Sequence, residues 1–353
     1  MKLGDARIGY AGYSRDFTVP GDRRRFAAYA RMKGLPVEYA ELSRPYNLAY
    51  VTYSSDLPGW IARKRREGDR LKLVFELIDS YLTETNSARR LLKGCARFAL
   101  GTDSRLSPDL LRTLIGACEA ADAVICSTEE QRETIRRYNP NVFISFDYFA
   151  DELGSPKTDY QRGKKLKIVW EGQSTTLPNI QVIREPLNDR RDRVELHVVT
   201  DPVIRRFFGR FGESASIGAL AGIECDKHFH AWDRATFSGQ ITDCDLAVIP
   251  IDSFSPMARG KPENKLALLW QLGMPVLTSA TPAYRRAMEA AGVDMTCATS
   301  ADWGAGFERL LDAGPSDLEQ IGRKCRTFAE RAYSKEEFAN RFDQAFEAVG
   351  LTP

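Results

Sequence analysis

The chain has 353 residues, 43% of them hydrophobic and 28% charged, with a formal net charge of +2. That balance suits a globular protein of about two domains and offers no bulk-charge argument for nucleic acid. No signal peptide is visible and no apolar run approaches the roughly 20 residues that span a bilayer, so the expected location is cytoplasmic. Seven cysteines (Cys95, Cys118, Cys126, Cys225, Cys244, Cys297, Cys325) form no CxxC pair, and several sit in apolar runs. They read as buried free thiols in a reducing compartment rather than disulfides or zinc ligands.

Residues 1–150 alternate strand and helix patterns. Arg7–Tyr13 reads as a first strand and Asp22–Lys33 as a basic helix. Pro36–Leu42 and Leu48–Tyr53 are strand candidates, and a helix over Gly59–Gly68 leads into Leu71–Ile78, a continuous apolar run of buried-strand type. Helices follow near Ser87–Leu100 and Pro108–Ala121. Ala123–Ser127 is a short strand, Thr128 suits the N-cap of the next helix, and Asn141–Phe146 closes this half. The alternation argues for a parallel sheet with helices on its faces.

Residues 150–165 combine Gly, Pro and charges without apolar periodicity and read as a linker. The alternation then restarts with Leu166–Trp170, a helix near Leu177–Leu187, Val194–Val199, a short strand near Ile223, Leu246–Pro250 and Pro275–Ser279. Helices dominate beyond Trp303, and Phe328, Tyr333, Phe338, Phe342 and Phe346 recur at roughly helical spacing. The expected division is 1–150, 151–330, and a C-terminal helix over 331–353 packing back on the first domain.

Asp243–Ala287 is the most informative stretch. A buried strand, Leu246–Pro250, runs into Arg259-Gly-Lys-Pro-Glu-Asn-Lys265 and a helix starting near Pro262, which Gly273 ends. Cationic side chains therefore meet free backbone N–H groups at a helix N-terminus, at the carboxyl end of a parallel strand. Open α/β sheets bind phosphorylated ligands at such places.

Three pieces in this order resemble the GT-B glycosyltransferases, especially family 4 and its relatives. They are Ala121–Gln131 (ADAVICSTEEQ), Asn141–Asp147 (NVFISFD), and Lys261–Leu266 (KPENKL) through Gly273-Met-Pro-Val276. The resemblance implies two facing Rossmann-like domains with parallel sheets and a cleft between them. It further implies a nucleotide-diphosphate sugar donor in the C-terminal domain, an acceptor hydroxyl in the N-terminal one, and a retaining reaction. No cofactor is expected, and metal is not expected to be essential, since the helix dipole and basic side chains can neutralise the diphosphate. The expected acceptor is a glycan, lipid-linked or small molecule, in surface glycan or glycosylated-metabolite synthesis. Departures are also visible. Leu268 stands where the family usually has a ribose-binding glutamate, Gly260 stands at its sugar-holding acidic position, WEGQSTT replaces the usual Arg after the first C-domain strand, and residues 1–150 hold no histidine. They motivate two alternatives: a catalytically degenerate GT-B protein serving as a binding partner, and a sugar-nucleotide epimerase.

The candidate donor-binding residues are Gly12, Glu171, Gly172, Trp232, Arg259, Lys261, Asn264 and Lys265. Fixed cations and helix N–H groups stabilise charge developing on a departing diphosphate. Gly12 and Gly172 permit close backbone approach, and Trp232 offers a face to a nucleobase. Asp79, at the end of the buried strand, is the candidate catalytic carboxylate, with Glu263 as the candidate substitute for the missing acidic residue. Asp16 and Glu76 rank behind Asp79. His228 and His230 share a side if extended, yet His197 is distant in sequence and no carboxylate cluster adjoins them, so no metal site is expected. Residues 1–150 carry 24 Lys/Arg against 19 Asp/Glu, a balance of +5. Clusters at Arg23–Arg25, Arg63–Arg66 and Arg89/Lys93/Arg97 suggest peripheral contact with the inner face of a membrane.

Overall fold

The computed structural model describes residues 1–205, 213–255 and 257–353. It forms two compact units: Met1–Tyr148 with Arg259–Pro262 and Ser334–Pro353, and Phe149–Ala258 with Glu263–Tyr333.

In the first unit, six strands pair in parallel: β1 (Ile8–Ala11), β2 (Val37–Tyr39), β3 (Leu48–Thr52), β4 (Lys72–Glu76), β5 (Ala123–Cys126) and β6 (Val142–Ile144). Their order is β2-β1-β3-β4-β5-β6. Strands β1, β3 and β5 are buried throughout, as expected of parallel strands covered on both faces. The helices are α1 (Pro20–Arg23), α2 (Phe26–Lys33), α3 (Leu57–Glu67), α4 (Ser87–Ala99), α5 (Leu110–Ala120) and α6 (Glu129–Ile135). Thr128 does cap α6, accepting from the Gln131 N–H at 3.2 Å.

The basic helix expected over Asp22–Lys33 is broken. Arg25 leaves helical geometry (φ −126°, ψ −121°) and turns inward. Its Nε donates to Glu76 at 2.6 Å and its Nη1 to Asp147 at 3.1 Å. A buried ion pair outweighs continuation of a short helix, because an unpaired carboxylate there is far more costly than one lost turn.

The final helix, α13 (Lys335–Ala348), closes the first unit's core. The Tyr29 hydroxyl donates to Asp343 at 2.8 Å, and Phe342 and Phe346 lie 4.9 and 5.4 Å from the Tyr29 ring.

In the second unit, parallel strands β7 (Leu166–Glu171) and β8 (Val194–Thr200) are followed by the antiparallel pair β9 (Val203–Arg205) and β10 (Glu213–Ala215). Then come β11 (Asp226–Ala231), β12 (Leu246–Ile249), β13 (Val276–Ser279) and β14 (Thr296–Cys297). The main sheet, again parallel, runs β11-β8-β7-β12-β13-β14. Its helices are α7 (Arg184–Asn188), α8 (Phe237–Thr242), α9 (Asn264–Gln271), α10 (Pro282–Ala291), α11 (Ser300–Asp312) and α12 (Pro315–Ala332).

Three expectations shift here. The helix placed at Leu177–Leu187 is mostly a 3₁₀ stretch, Ser174–Ile183, containing Pro178, which cannot donate the backbone bond an α-helix needs. The strand expected near Ile223 lies at Asp226–Ala231, whose polar sequence suits a sheet edge. The 150–165 segment is strapped down rather than free. The Lys157 N–H bonds to the Leu272 carbonyl at 2.8 Å, and the Tyr160 hydroxyl bonds to that of Gly273 at 2.8 Å.

Each sheet has one place where strand order reverses direction, between β1 and β3 in the first and between β7 and β12 in the second. Open α/β sheets bind ligands beyond the carboxyl ends of such strand pairs.

Candidate functional site

In the second unit, β7 ends at Glu171 and α9 follows β12, so both approach the switch point. Lys265, in the first turn of α9, donates from Nζ to the Glu171 carbonyl at 2.8 Å, and Nζ lies 4.6 Å from the centre of the Trp170 ring. Gly172 comes next. A Cβ there would collide with the Lys265 ammonium and lie 3.2 Å from the Trp170 ring. The glycine therefore makes room for the lysine, and its carbonyl accepts the Thr200 hydroxyl at 2.6 Å. Glu171, Gly172 and Lys265 thus form one cluster.

Glu263 occupies the N-cap position of α9 but its side chain does not cap the helix. Burial, reinforced by the Glu263 charge, pushes up the Tyr284 phenol, which places the carboxylate near Tyr284. Asn264 is half-buried as the first residue of α9. Trp232 lies just past the edge strand β11, two strands from β7. Its N–H bonds to the Thr200 carbonyl at 3.0 Å, and its half-buried ring stacks on Phe237 at 5.4 Å.

Arg259 is exposed and Lys261 half-buried, and both belong to the first compact unit. Between them, the Gly260 carbonyl accepts from Gln131 Nε2 at 2.9 Å. The same amide nitrogen donates to the Ile78 carbonyl at 2.8 Å. A Cβ on Gly260 would overlap the Ser80 hydroxyl. No side chain fits there in this conformation. Leu268 is 3% exposed and packs into the core of its unit.

In the first unit, Gly12 follows β1 at the switch point. A Cβ there would lie 2.6 Å from Asp22 Oδ1. Asp22 gathers the Tyr10 hydroxyl (2.6 Å), the Tyr13 and Ser14 N–H groups (both 2.8 Å) and the Ser14 hydroxyl (2.9 Å). The glycine lets this carboxylate fold the loop.

Asp79 lies beyond β4, half-buried, where its carbonyl accepts the Tyr81 N–H at 2.8 Å. Burial, then the Asp79 charge, raises the Tyr81 phenol's pKa. Tyr81 stacks on Tyr53 with centroids 4.2 Å apart and planes at 14°, giving an aromatic shelf beside the carboxylate. Neither tyrosine stands out in sequence, since the shelf depends on the loops after β3 and β4 meeting. Asp16 is exposed, and hydrogen bonds led by that from the Thr18 side chain hold its carboxyl below the ordinary range. Glu76 is consumed by Arg25.

The basic clusters divide. Arg63 bonds to Glu67 at 2.9 Å and Lys64 pairs with Asp122 at 2.7 Å. Arg97 pairs with Asp103 at 2.7 Å, and Lys93 lies over the Tyr81 ring. What α4 and the loop after it leave exposed is largely apolar: Leu91, Leu92, Phe98, Leu100 and Leu106 are each 44–65% accessible.

The histidines also differ from the sequence expectation. Parallel pairing sets His228 directly beside His197, and Glu195 lies on the same strand face two residues earlier. Residues 31 to 33 apart in sequence thus become neighbours, and a carboxylate does adjoin them.

No protein-family model matches this sequence, and no curated protein matches it. Solved structures do match in fold. HepE of Anabaena, bound to UDP and glucose, superposes with a TM-score of 0.63 at 11% identity, covering 97% of this chain and 99% of that one. Sucrose-phosphate synthase of Thermosynechococcus elongatus gives 0.58 at 13% identity, covering 92% and 76%. A variant of S. aureus TarM, in complex with Fondaparinux, alpha-GlcNAc-glycerol and UDP, gives 0.57 at 12% identity, covering 84% of this chain. The chain spans 55% of that TarM structure's length. Two doubly wound units, each built on a six-stranded parallel sheet, have the fold of the GT-B glycosyltransferases.

Proposed function

We propose that this chain is a glycosyltransferase that takes a sugar from a nucleotide-diphosphate donor, with UDP as the first nucleotide to test. The observation that carries the reading is Lys265, a half-buried cation in the first turn of α9, beside the switch point of the second sheet and bonded to the Glu171 carbonyl. A diphosphate placed there would meet an ammonium group and helix N–H donors together. HepE and TarM were both solved with UDP, which supports the choice of nucleotide.

In the proposed reaction, an acceptor oxygen bonds to the anomeric carbon as that carbon's bond to the β-phosphate oxygen breaks. The nucleoside diphosphate leaves with the bonding electrons. In a retaining course the acceptor's proton passes to the leaving phosphate. Asp79 takes it if configuration inverts. Asn264 and Glu263 are assigned to the donor sugar, Arg259 and Lys261 to the diphosphate, Trp232 to the base, and Gly12 to close backbone approach. The Tyr53–Tyr81 shelf beside Asp79 is assigned to a glycan or glycolipid acceptor, because sugar C–H faces pack on aromatic rings. Membrane contact, if the acceptor is lipid-linked, falls to the exposed apolar side of α4 rather than to Lys93 and Arg97. Neither metal nor cofactor is assigned a role in transfer.

The second reading, a degenerate partner-binding protein, is favoured by Gly260 and Leu268, which leave two usual donor contacts without a polar side chain. The two separate in a thermal-stability panel of UDP, GDP, ADP, CMP and their sugars, followed by donor hydrolysis with the stabilising nucleotide. A shift lost in Lys265→Ala, with hydrolysis, supports the enzyme. No shift at saturation supports the partner reading.

A further inference from the structure

The chain contains three histidines, and the fold brings all of them to one face of the β8–β11 edge. Glu195 and His197 project from β8, and His228 and His230 from β11. Glu195 Oε1 lies 3.2 Å from His197 Nε2, and Glu195 Oε2 lies 4.0 Å from His228 Nε2. One ligand atom from each of Glu195, His197 and His228 falls within 4.8 Å of the others, the single such group of His, Cys, Asp and Glu among the described residues.

We propose that Glu195, His197 and His228 form a three-ligand site for a zinc-like divalent transition-metal ion. Two imidazoles and a carboxylate are a borderline-soft donor set suited to Zn²⁺, Co²⁺ or Ni²⁺ and poorly suited to Mg²⁺ or Ca²⁺. Tetrahedral coordination at about 2.0–2.1 Å separates neighbouring ligand atoms by about 3.3 Å. The observed 3.2 and 4.0 Å therefore need only small side-chain rotations. The outer partner is already in place. His197 Nδ1 lies 3.1 Å from His230 Nε2, so that bond holds the His197 ring and aims Nε2 at the ion.

Access agrees with this role. The His197 and Glu195 side chains are 14% and 20% exposed, whereas that of His228 is 47% exposed and opens a route from solvent. Beside the site, Lys165 pairs with Asp226 at 2.7 Å. The ion would pin edge strand β11 to β8. Trp232, two residues beyond His230, lies on the segment so fixed. This site is independent of whether the protein transfers sugar.

The test is Zn²⁺ titration of the chain without any histidine tag, in competition with a chromophoric chelator, alongside thermal unfolding. The account expects one equivalent bound and a raised melting temperature. His228→Ala, an exposed position whose loss leaves the fold intact, should weaken binding at least tenfold and abolish the thermal shift. Cys95→Ser should bind like wild type, and the Co²⁺ complex should lack a sulfur charge-transfer band. Equal affinity in wild type and His228→Ala, binding lost in Cys95→Ser, or no stoichiometric binding by the wild type would each overturn the site.

Discussion

The carboxyl edges of the two sheets hold charged residues in opposite states. In the first unit, the Arg25 and Glu76 side chains are 0% exposed and face each other at 2.6 Å, with Asp147 completing the set. In the second, Lys265 is only half-buried, over an aromatic ring and in the first turn of α9. Similar topology thus produces a closed ion network once and a cationic helix terminus once. A buried, paired charge set answers to folding, although Arg25 Nη2 and Glu76 Oε2 are left without hydrogen-bond partners. A half-buried cation in the first turn of a helix stands where helix N–H groups also favour an anion.

The largest expected effect lies on the closed side. Arg25→Ala leaves Glu76 as an uncompensated buried carboxylate and should cost about 3–5 kcal/mol of stability by chemical denaturation. Pairing it as Arg25→Met with Glu76→Leu should recover much of that loss. If Arg25→Ala unfolds at the wild-type denaturant concentration, the network is not structural.

Gly12→Ala comes next. Its Cβ would be forced to within 2.6 Å of Asp22 Oδ1, so about 1–3 kcal/mol of destabilisation is expected. On the open side, Lys265→Ala should leave the unfolding midpoint nearly unchanged while reducing nucleotide-diphosphate affinity roughly 10- to 100-fold, the worth of a charged hydrogen bond. Gly172→Ala sharpens this contrast by displacing the Lys265 ammonium without removing it, and should reproduce much of the binding defect.

A smaller effect follows from the histidine edge. Because His197 and His230 have depressed folded pKa values, the unfolded chain binds more protons between those values and about 6.5. Their contribution is complete above about pH 6.5 and is lost as pH falls through the folded values. In metal-free buffer, the pH slope of stability below 6.5 should flatten in the double variant His197→Asn, His230→Asn. The smallest contrast is among thiols. Burial pushes Cys118, Cys126, Cys244, Cys297 and Cys325 up to about 12, whereas Cys95 is exposed. Cys95 alone of this set should label rapidly in the native protein.

Continuous apolar runs such as Leu246–Ile249 announced the parallel strands, because strands covered on both faces need no polar alternation. The 3₁₀ stretch through Pro178 was foreseeable from that proline. The edge strand at Asp226–Ala231 was not, since its polar residues lack both alternation and apolar continuity. Arg25 sits in a run of three arginines, and only the fold selects which one turns inward. Lys265 and Gly172 were each legible as candidates. Their relation, a glycine shaped around a lysine 93 residues later, needs the β7–β12 adjacency. Gln131 and the Tyr53–Tyr81 shelf likewise depend on loops brought together by the sheet.

The most direct test of the central claim is calorimetric titration of UDP into the wild type, Lys265→Ala and Gly172→Ala. The account predicts saturable one-to-one binding by the wild type and weakening by roughly tenfold or more in both variants, with the Lys265→Ala unfolding midpoint close to wild type. Equal UDP affinity in all three proteins would contradict the assignment of Lys265 and the β7–β12 switch point to the donor diphosphate.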